Sequence, residues 1–232
     1  MDSPQPPHGP RRELSSRNTS WARALARTAS ASGITPNAIS VLSIVFAAGA
    51  MACYLFAPEA GCSTGMSLSW LGAVACIQCR LLCNLLDGMV AVEGGKGTLT
   101  GPLYNEVPDR IADVLILVGA GYSTTVSPGV IKLLDTLPLG WSCAIVAMGT
   151  AYVRLLQGSL TGEQSFTGPM AKQHRMATLT IGTLAAIAEL WLRDAPPEML
   201  KTALLLILFG GLYTCGRRLL LLTRQMKAQA RK

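Results

Sequence analysis

Asn84 and Asp87 stand three residues apart, and Asn105 and Asp109 stand four apart. At either spacing the two side chains share one helix face. The stretch that contains them, NLLDGMVAVEGGKGTLTGPLYNEVPD over 84–109, is broken in the middle by a glycine-rich turn. Carboxylates in such apolar surroundings are costly unless they are paired, wet or on a metal, so they mark a functional site. Two antiparallel helices joined by that turn can bring the two faces together, with four oxygen-bearing side chains around one point. Hard divalent cations such as Mg²⁺ take oxygen ligands of this kind, and Mg²⁺ favours a substrate phosphate as a further ligand. The chemistry suggested is metal-assisted phosphoryl transfer. Gly88, Gly101 and the small Ala91 would let a ligand approach the backbone closely.

The elements that position these residues are those of a membrane scaffold. Of 232 residues, 50% are hydrophobic and 14% charged, and the mean hydropathy is +0.38. Soluble domains carry roughly 25% charged residues. The net charge of +7 gathers at the ends, with Arg11, Arg12, Arg17, Arg23 and Arg27 before the first apolar run and Arg217, Arg218, Arg224, Lys227, Arg231 and Lys232 at the end of the chain. Such ends suit a cytoplasmic face against anionic lipid. Without an aromatic platform or recognition motif they do not argue for nucleic acid.

The fold class expected is an all-α integral membrane protein, with six transmembrane helices and an N-terminal amphipathic, interfacial helix. The chain divides into a disordered tail (1–11), a juxtamembrane helix (12–30), a six-helix domain (31–224) and a basic tail (225–232). The spans are expected at about 36–57, 67–92, 102–126, 136–156, 173–192 and 199–222. The fifth is short and contains Glu189. Thr35 and Pro36 supply a cap and a first position for the first span. The second run is roughly 39 Å long at 1.5 Å per residue, so its last turns, from Arg80, should reach a cavity or the interface. Lys and Arg counts in the loops put both termini, and the site, on the cytoplasmic side.

Other groups carry weaker signals. Seven cysteines, mostly in apolar runs, do not form a disulfide framework. Cys76, Cys79 and Cys83 share a face but lack a fourth ligand, and read as small packing residues. Trp21, Trp70, Trp141 and Trp191 fall near span ends, as interfacial anchors do. His8 and His174 read as surface residues. Glu106 lies about 100° around the helix from Asn105 and pairs most simply with Arg110. Asp113 follows Asp109 one turn deeper, as a support for the site or a partner for an arginine.

The same residues resemble a family. The CDP-alcohol phosphotransferases carry Asp, two residues, Asp-Gly, two residues, Ala-Arg, eight residues, Gly, three residues, Asp, three residues, Asp. Asn84, Asp87-Gly88, Ala91, Gly101, Asn105 and Asp109 fall on that register, with Val92 where Arg is expected. Thr35-Pro36-Asn37 and Gly168-Pro169-Met170-Ala171-Lys172 are similar to the family's flanks, and the likeness covers about 33–222. The resemblance implies transfer of a substituted phosphoryl group from a CDP-alcohol such as CDP-diacylglycerol to an acceptor hydroxyl, with release of CMP, in phospholipid synthesis. It implies Asn84, Asp87, Asn105 and Asp109 as metal ligands for Mg²⁺ or Mn²⁺ and Asp109 as general base. Gly88, Ala91 and Gly101 would lie along the nucleotide. Lys172, Arg154 and Arg175 would bind acceptor or lipid phosphate, unless they are topology charges. The partners implied are the CDP-alcohol donor, the acceptor, membrane lipids and a second copy of the chain. Two Asn for Asp halve the site's negative charge, so of the family's two ions one would bind poorly or be absent, and the count of one or two stays open. Arg80, Lys96 or Arg110 could replace the missing arginine. The alternative is a catalytically degenerate member that binds nucleotide-lipid or a partner protein.

Overall fold

The structure, a computed structural model, describes residues 19–93, 99–124, 138–162, 168–193 and 197–229. The N-terminal tail, Lys96 and the centre of the glycine-rich turn, Lys132 and the last three residues lie outside the described residues. Seven α-helices follow in order: α1 (Ser20–Ala31), α2 (Pro36–Phe56), α3 (Ser63–Glu93), α4 (Gly101–Ser123), α5 (Leu139–Thr161), α6 (Lys172–Leu192) and α7 (Met199–Gln229). Among the described residues, five helices are long and apolar enough to cross a membrane: α2, α3, α5, α6 and α7. In α4, Glu106, Asp109, Arg110 and Asp113 interrupt the apolar run.

The start of α2 follows from its sequence. Thr35 Oγ1 accepts from the Ala38 N–H at 3.2 Å, and Pro36 occupies the first turn, where its missing N–H costs nothing. α3 begins four residues before its expected start, and α7 runs on to Gln229, through half of the expected basic tail.

α2 packs along both α3 and α4, while α3 and α4 barely touch each other. α5 packs on α4 and α7, and α6 on α3 and α7. The contacts are built from small residues. Ala47, Ala50, Ala73, Ala112, Ala120, Ala144 and Ala147 are fully or almost fully buried. In lipid, where apolar burial does not drive helix association, close backbone approach supplies the dispersion energy instead. Gly119 shows how tight this is: a Cβ there would lie 2.8 Å from the Met51 Cα. Trp70 corrects an expectation. It is 2% exposed, and its indole donates to Ser123 Oγ at 2.8 Å, so it is a core residue and not an interfacial anchor. The seven helical residues of α3 that precede it set it two turns into the helix. Trp21, Trp141 and Trp191 are exposed.

Glu189 explains why α6 tolerates an acid. Its Oε2 accepts from the N–H groups of Glu198 (2.7 Å) and Met199 (2.9 Å), which open α7, and its Oε1 pairs with Arg193 at 2.7 Å. The buried carboxylate satisfies helix-start donors and sits at the positive end of the dipole.

Candidate active site

Because α3 and α4 are held apart by their shared partner α2, a cavity of about 470 Å³ opens between them. α3 contributes Gln78, Leu81, Leu82, Asn84 and Leu85 to its wall, and α4 contributes Asn105, Glu106, Asp109 and Arg110. Thr150, Ala151 and Arg154 of α5, the α6 start from Ala171 to Arg175, Arg218 of α7 and Trp21 of α1 complete it. Asn84, Asn105 and Asp109 thus share one cavity. Asp87 lies one helical turn beyond Asn84, 5% exposed, and its Oδ2 accepts from Ser40 Oγ at 2.6 Å.

Asp109 is surrounded by cations. Lys172 Nζ donates to Oδ2, Arg80 Nη2 lies 3.4 Å from Oδ1, and Arg110 Nη2 lies 3.9 Å from Oδ2. One turn deeper, Asp113 holds Arg80 at 2.9 Å through Oδ1 and Arg175 at 2.5 Å through Oδ2. All three are almost fully buried, at 1%, 0% and 2% exposure for Asp113, Arg80 and Arg175. Of Asp113's two expected roles, partner to an arginine is the one observed, and it has two such partners. Arg80 Nε and Nη1, and Arg175 Nε, have no partner. A buried charge pair of this kind is expensive to break from one side, because the survivor is left uncompensated in low dielectric.

Glu106 differs from its expectation. It faces the same cavity as Asn105 and pairs closely with Arg154, with Arg110 only at 3.9 Å. A glutamate stem is long enough to offset the 100° step when a cation across the cavity draws it in. Arg80 is no substitute for the arginine missing at Val92, since it is sealed under Asp109 and Asp113; Arg110 does line the cavity.

Lys172, Arg154 and Arg175 all line the cavity, as does Arg218, which also donates to the Thr150 carbonyl at 2.7 Å. Arg218 was not picked out from the sequence: its place among terminal basic residues hid it, and only its position on α7's buried side distinguishes it. Gly88, Ala91 and Gly101 are half-buried at the end of α3 and the start of α4, beyond the cavity wall. His174 is exposed and His8 lies outside the described residues. The seven cysteines are unpaired, and the site uses none of them.

Among the described residues no three His, Cys, Asp or Glu side chains gather as a metal site. A mixed set remains, of Asp87, Asp109 and the amides of Asn84 and Asn105. The Asn84 amide nitrogen is buried without an acceptor, an orphan donor that a ligand's phosphate oxygen would satisfy, or that the amide turned over would replace with an oxygen toward a cation. These are hard oxygen donors with two negative charges, a set that fits one divalent cation. The α4-to-α7 side of the wall is strongly cationic: Arg110, Arg154, Lys172, Arg175 and Arg218 face Glu106 and Asp109. A phosphate-bearing ligand is what such a wall attracts.

Solved structures share this fold. Phosphatidylinositol phosphate synthase of Mycobacterium tuberculosis with CDP-DAG bound matches with a TM-score of 0.68 and 19% identity, over 88% of this chain and 94% of that one. The same enzyme in complex with manganese and citrate gives 0.69 and 19%, over 87% and 88%. Its apo form gives 0.61 and 21%, over 87% and 93%. No family model matches the sequence, and no curated protein does.

Proposed function

We propose that the chain is a membrane transferase that moves a phosphatidyl or similar substituted phosphoryl group from a CDP-alcohol to an acceptor hydroxyl. The observation that carries this reading is the shared cavity of Asn84, Asn105 and Asp109, walled by arginines and a lysine. The signature register of 84–109 supports it, and so does the likeness to a synthase captured with CDP-DAG and with manganese.

In the reaction, the acceptor oxygen attacks the phosphorus that carries the alcohol. The bond from that phosphorus to the bridging oxygen breaks, and CMP leaves. Asp109 takes the hydroxyl proton at Oδ2, the atom Lys172 now holds. Lys172, once released, and Arg110 stand where they can neutralise the pyrophosphate. Arg154, Arg175 and Arg218 orient anionic groups of the substrates on the opposite wall. Asp87 and Asp109, with the amide oxygens of Asn84 and Asn105, would hold one Mg²⁺ or Mn²⁺. Such an ion would offset charge that develops on the phosphoryl oxygens. Catalysis is then mainly positioning and electrostatics.

In this reading α4 is a sixth span, its charged turns shielded by the cavity and its later turns buried among α2 and α5. Six spans put both termini on one side, and the basic ends make it the cytoplasmic one. Homodimer assembly belongs to the reading through the resemblance alone.

A second reading has one observation in its favour: both Asp109 oxygens already face cations, which suits a protein that binds nucleotide-lipid without turning it over. CMP release separates the two. Purified protein incubated with CDP-diacylglycerol, Mg²⁺ or Mn²⁺ and a panel of acceptors releases CMP if the transferase reading is right. Binding without release assigns the second.

A further inference from the structure

The cavity has two chemically different walls. One is cationic, from α4 to α7; the other, of α3 and α1, carries an apolar patch of Leu81, Leu82, Leu85 and Trp21 beside the uncharged Gln78 and Asn84. The apolar patch is held in place from behind. Ala22 and Ala26 of α1 are 0% and 3% exposed, and they pack with Ile39, Cys83, Met89 and Val90, against which Leu85 also rests. Alanines at i and i+4 let α1 lie close on α3, which fixes where residue 21 projects. Trp21 is 51% exposed and yet lines the cavity, so one part of the ring faces the site and the rest faces out. An indole at a cavity rim offers a large apolar face at little entropic cost. A membrane anchor alone has no reason to form part of a cationic cavity's wall.

We propose that Trp21, with Leu81, Leu82 and Leu85, is the contact for the acyl portion of the donor, and that it makes the site prefer a diacyl nucleotide over a water-soluble CDP-alcohol. This rests on the transferase reading above. The adjacency of an anion-attracting wall to an apolar patch that ends in the half-exposed Trp21 matches an amphiphile with a pyrophosphate head and hydrocarbon tails. Trp21 is a specificity-determining residue here and takes no part in the bond changes.

The test is binding to full-length protein in nanodiscs, with CDP-dioleoylglycerol, CDP-dihexanoylglycerol and CDP as probes, for the wild type, Trp21→Ala and Trp21→Phe. The wild type should favour the dioleoyl form over CDP. Trp21→Ala should lose about five- to tenfold in affinity for the dioleoyl form, keep CDP affinity, and be largely rescued as Trp21→Phe. A CDP-lipid with a diazirine in its acyl chain should label the peptide that contains residue 21. Equal weakening of CDP and the dioleoyl form would mean that the ring stacks on the cytosine, and would overturn the inference. No change in either would reduce Trp21 to an interfacial anchor, with the same result. Wild-type binding of CDP with no preference for the dioleoyl form overturns the inference but leaves the transferase reading intact, whereas failure to bind any of the three removes both.

Discussion

Lys172 Nζ donates to Asp109 Oδ2, joining the first residue of α6 to the acid that ends the 84–109 stretch. The contact puts an ammonium where the proposed cation would bind and where the acceptor proton would go. If Asp109 takes the proposed ion at this oxygen, Lys172 competes with it for the carboxylate.

Lys172→Gln should accordingly tighten Mn²⁺ binding by about tenfold, because a competing charge is removed from a ligand carboxylate. The same variant should bind CDP more weakly, because a phosphate partner is gone. Titration calorimetry with each ligand checks both signs, and parallel losses would argue that Lys172 merely supports the fold.

The Arg80–Asp113–Arg175 cluster should matter for stability first. Asp113→Asn leaves two buried guanidinium groups facing one neutral amide, and a loss of about 3–5 kcal/mol is expected. Thermal unfolding in detergent should show a large drop for Asp113→Asn. Replacement of Arg80 and Asp113 together by Met and Leu should cost less than the sum of the singles, since Arg80 and Asp113 no longer orphan each other and only Arg175 is left without its carboxylate.

Ser40 reaches Asp87 from α2 with a 2.6 Å hydrogen bond. Ser40→Ala should leave the protein folded but loosen Asp87, with a cost of about 1–2 kcal/mol in divalent-ion affinity. Mn²⁺ electron paramagnetic resonance of the variant reads this directly.

Asn84→Asp and Asn105→Asp restore charge to the oxygen set. Each should raise Mn²⁺ affinity by about tenfold or more, since carboxylates bind hard cations better than amides do. Variants that bind Mn²⁺ no better than the wild type would show that these side chains stand outside the ion's reach.

How much of this was legible in the sequence depends on whether a feature is local. The Thr35–Pro36 start of α2 was readable because a cap and its donor lie three residues apart. That Asn84, Asn105 and Asp109 line one cavity was readable from two helical periods, but Asp87, expected beside them, is outside the cavity wall and bonds to Ser40, and α2 rather than the turn sets the gap between α3 and α4. What crosses between distant helices was not. Nothing in α6 says that Arg175 must reach Asp113, 62 residues away, or that Glu106 will choose Arg154 over Arg110. Trp70 was misplaced because hydropathy sees a span's end, whereas the helix starts at Ser63 and buries the ring against Ser123. Glu189 looked like a flaw in α6 until its partners at the start of α7 were known.

The most direct test of the transferase reading is CMP release from CDP-dioleoylglycerol by the purified protein in nanodiscs, with Mn²⁺ and acceptors that include glycerol phosphate, serine, inositol and inositol phosphate, for wild type and Asp109→Asn. The account predicts metal-dependent release with at least one acceptor, and a loss of at least about 100-fold in a variant that still inserts and folds. Undiminished release by Asp109→Asn, or no release from wild-type protein with bound donor and any acceptor, would contradict it.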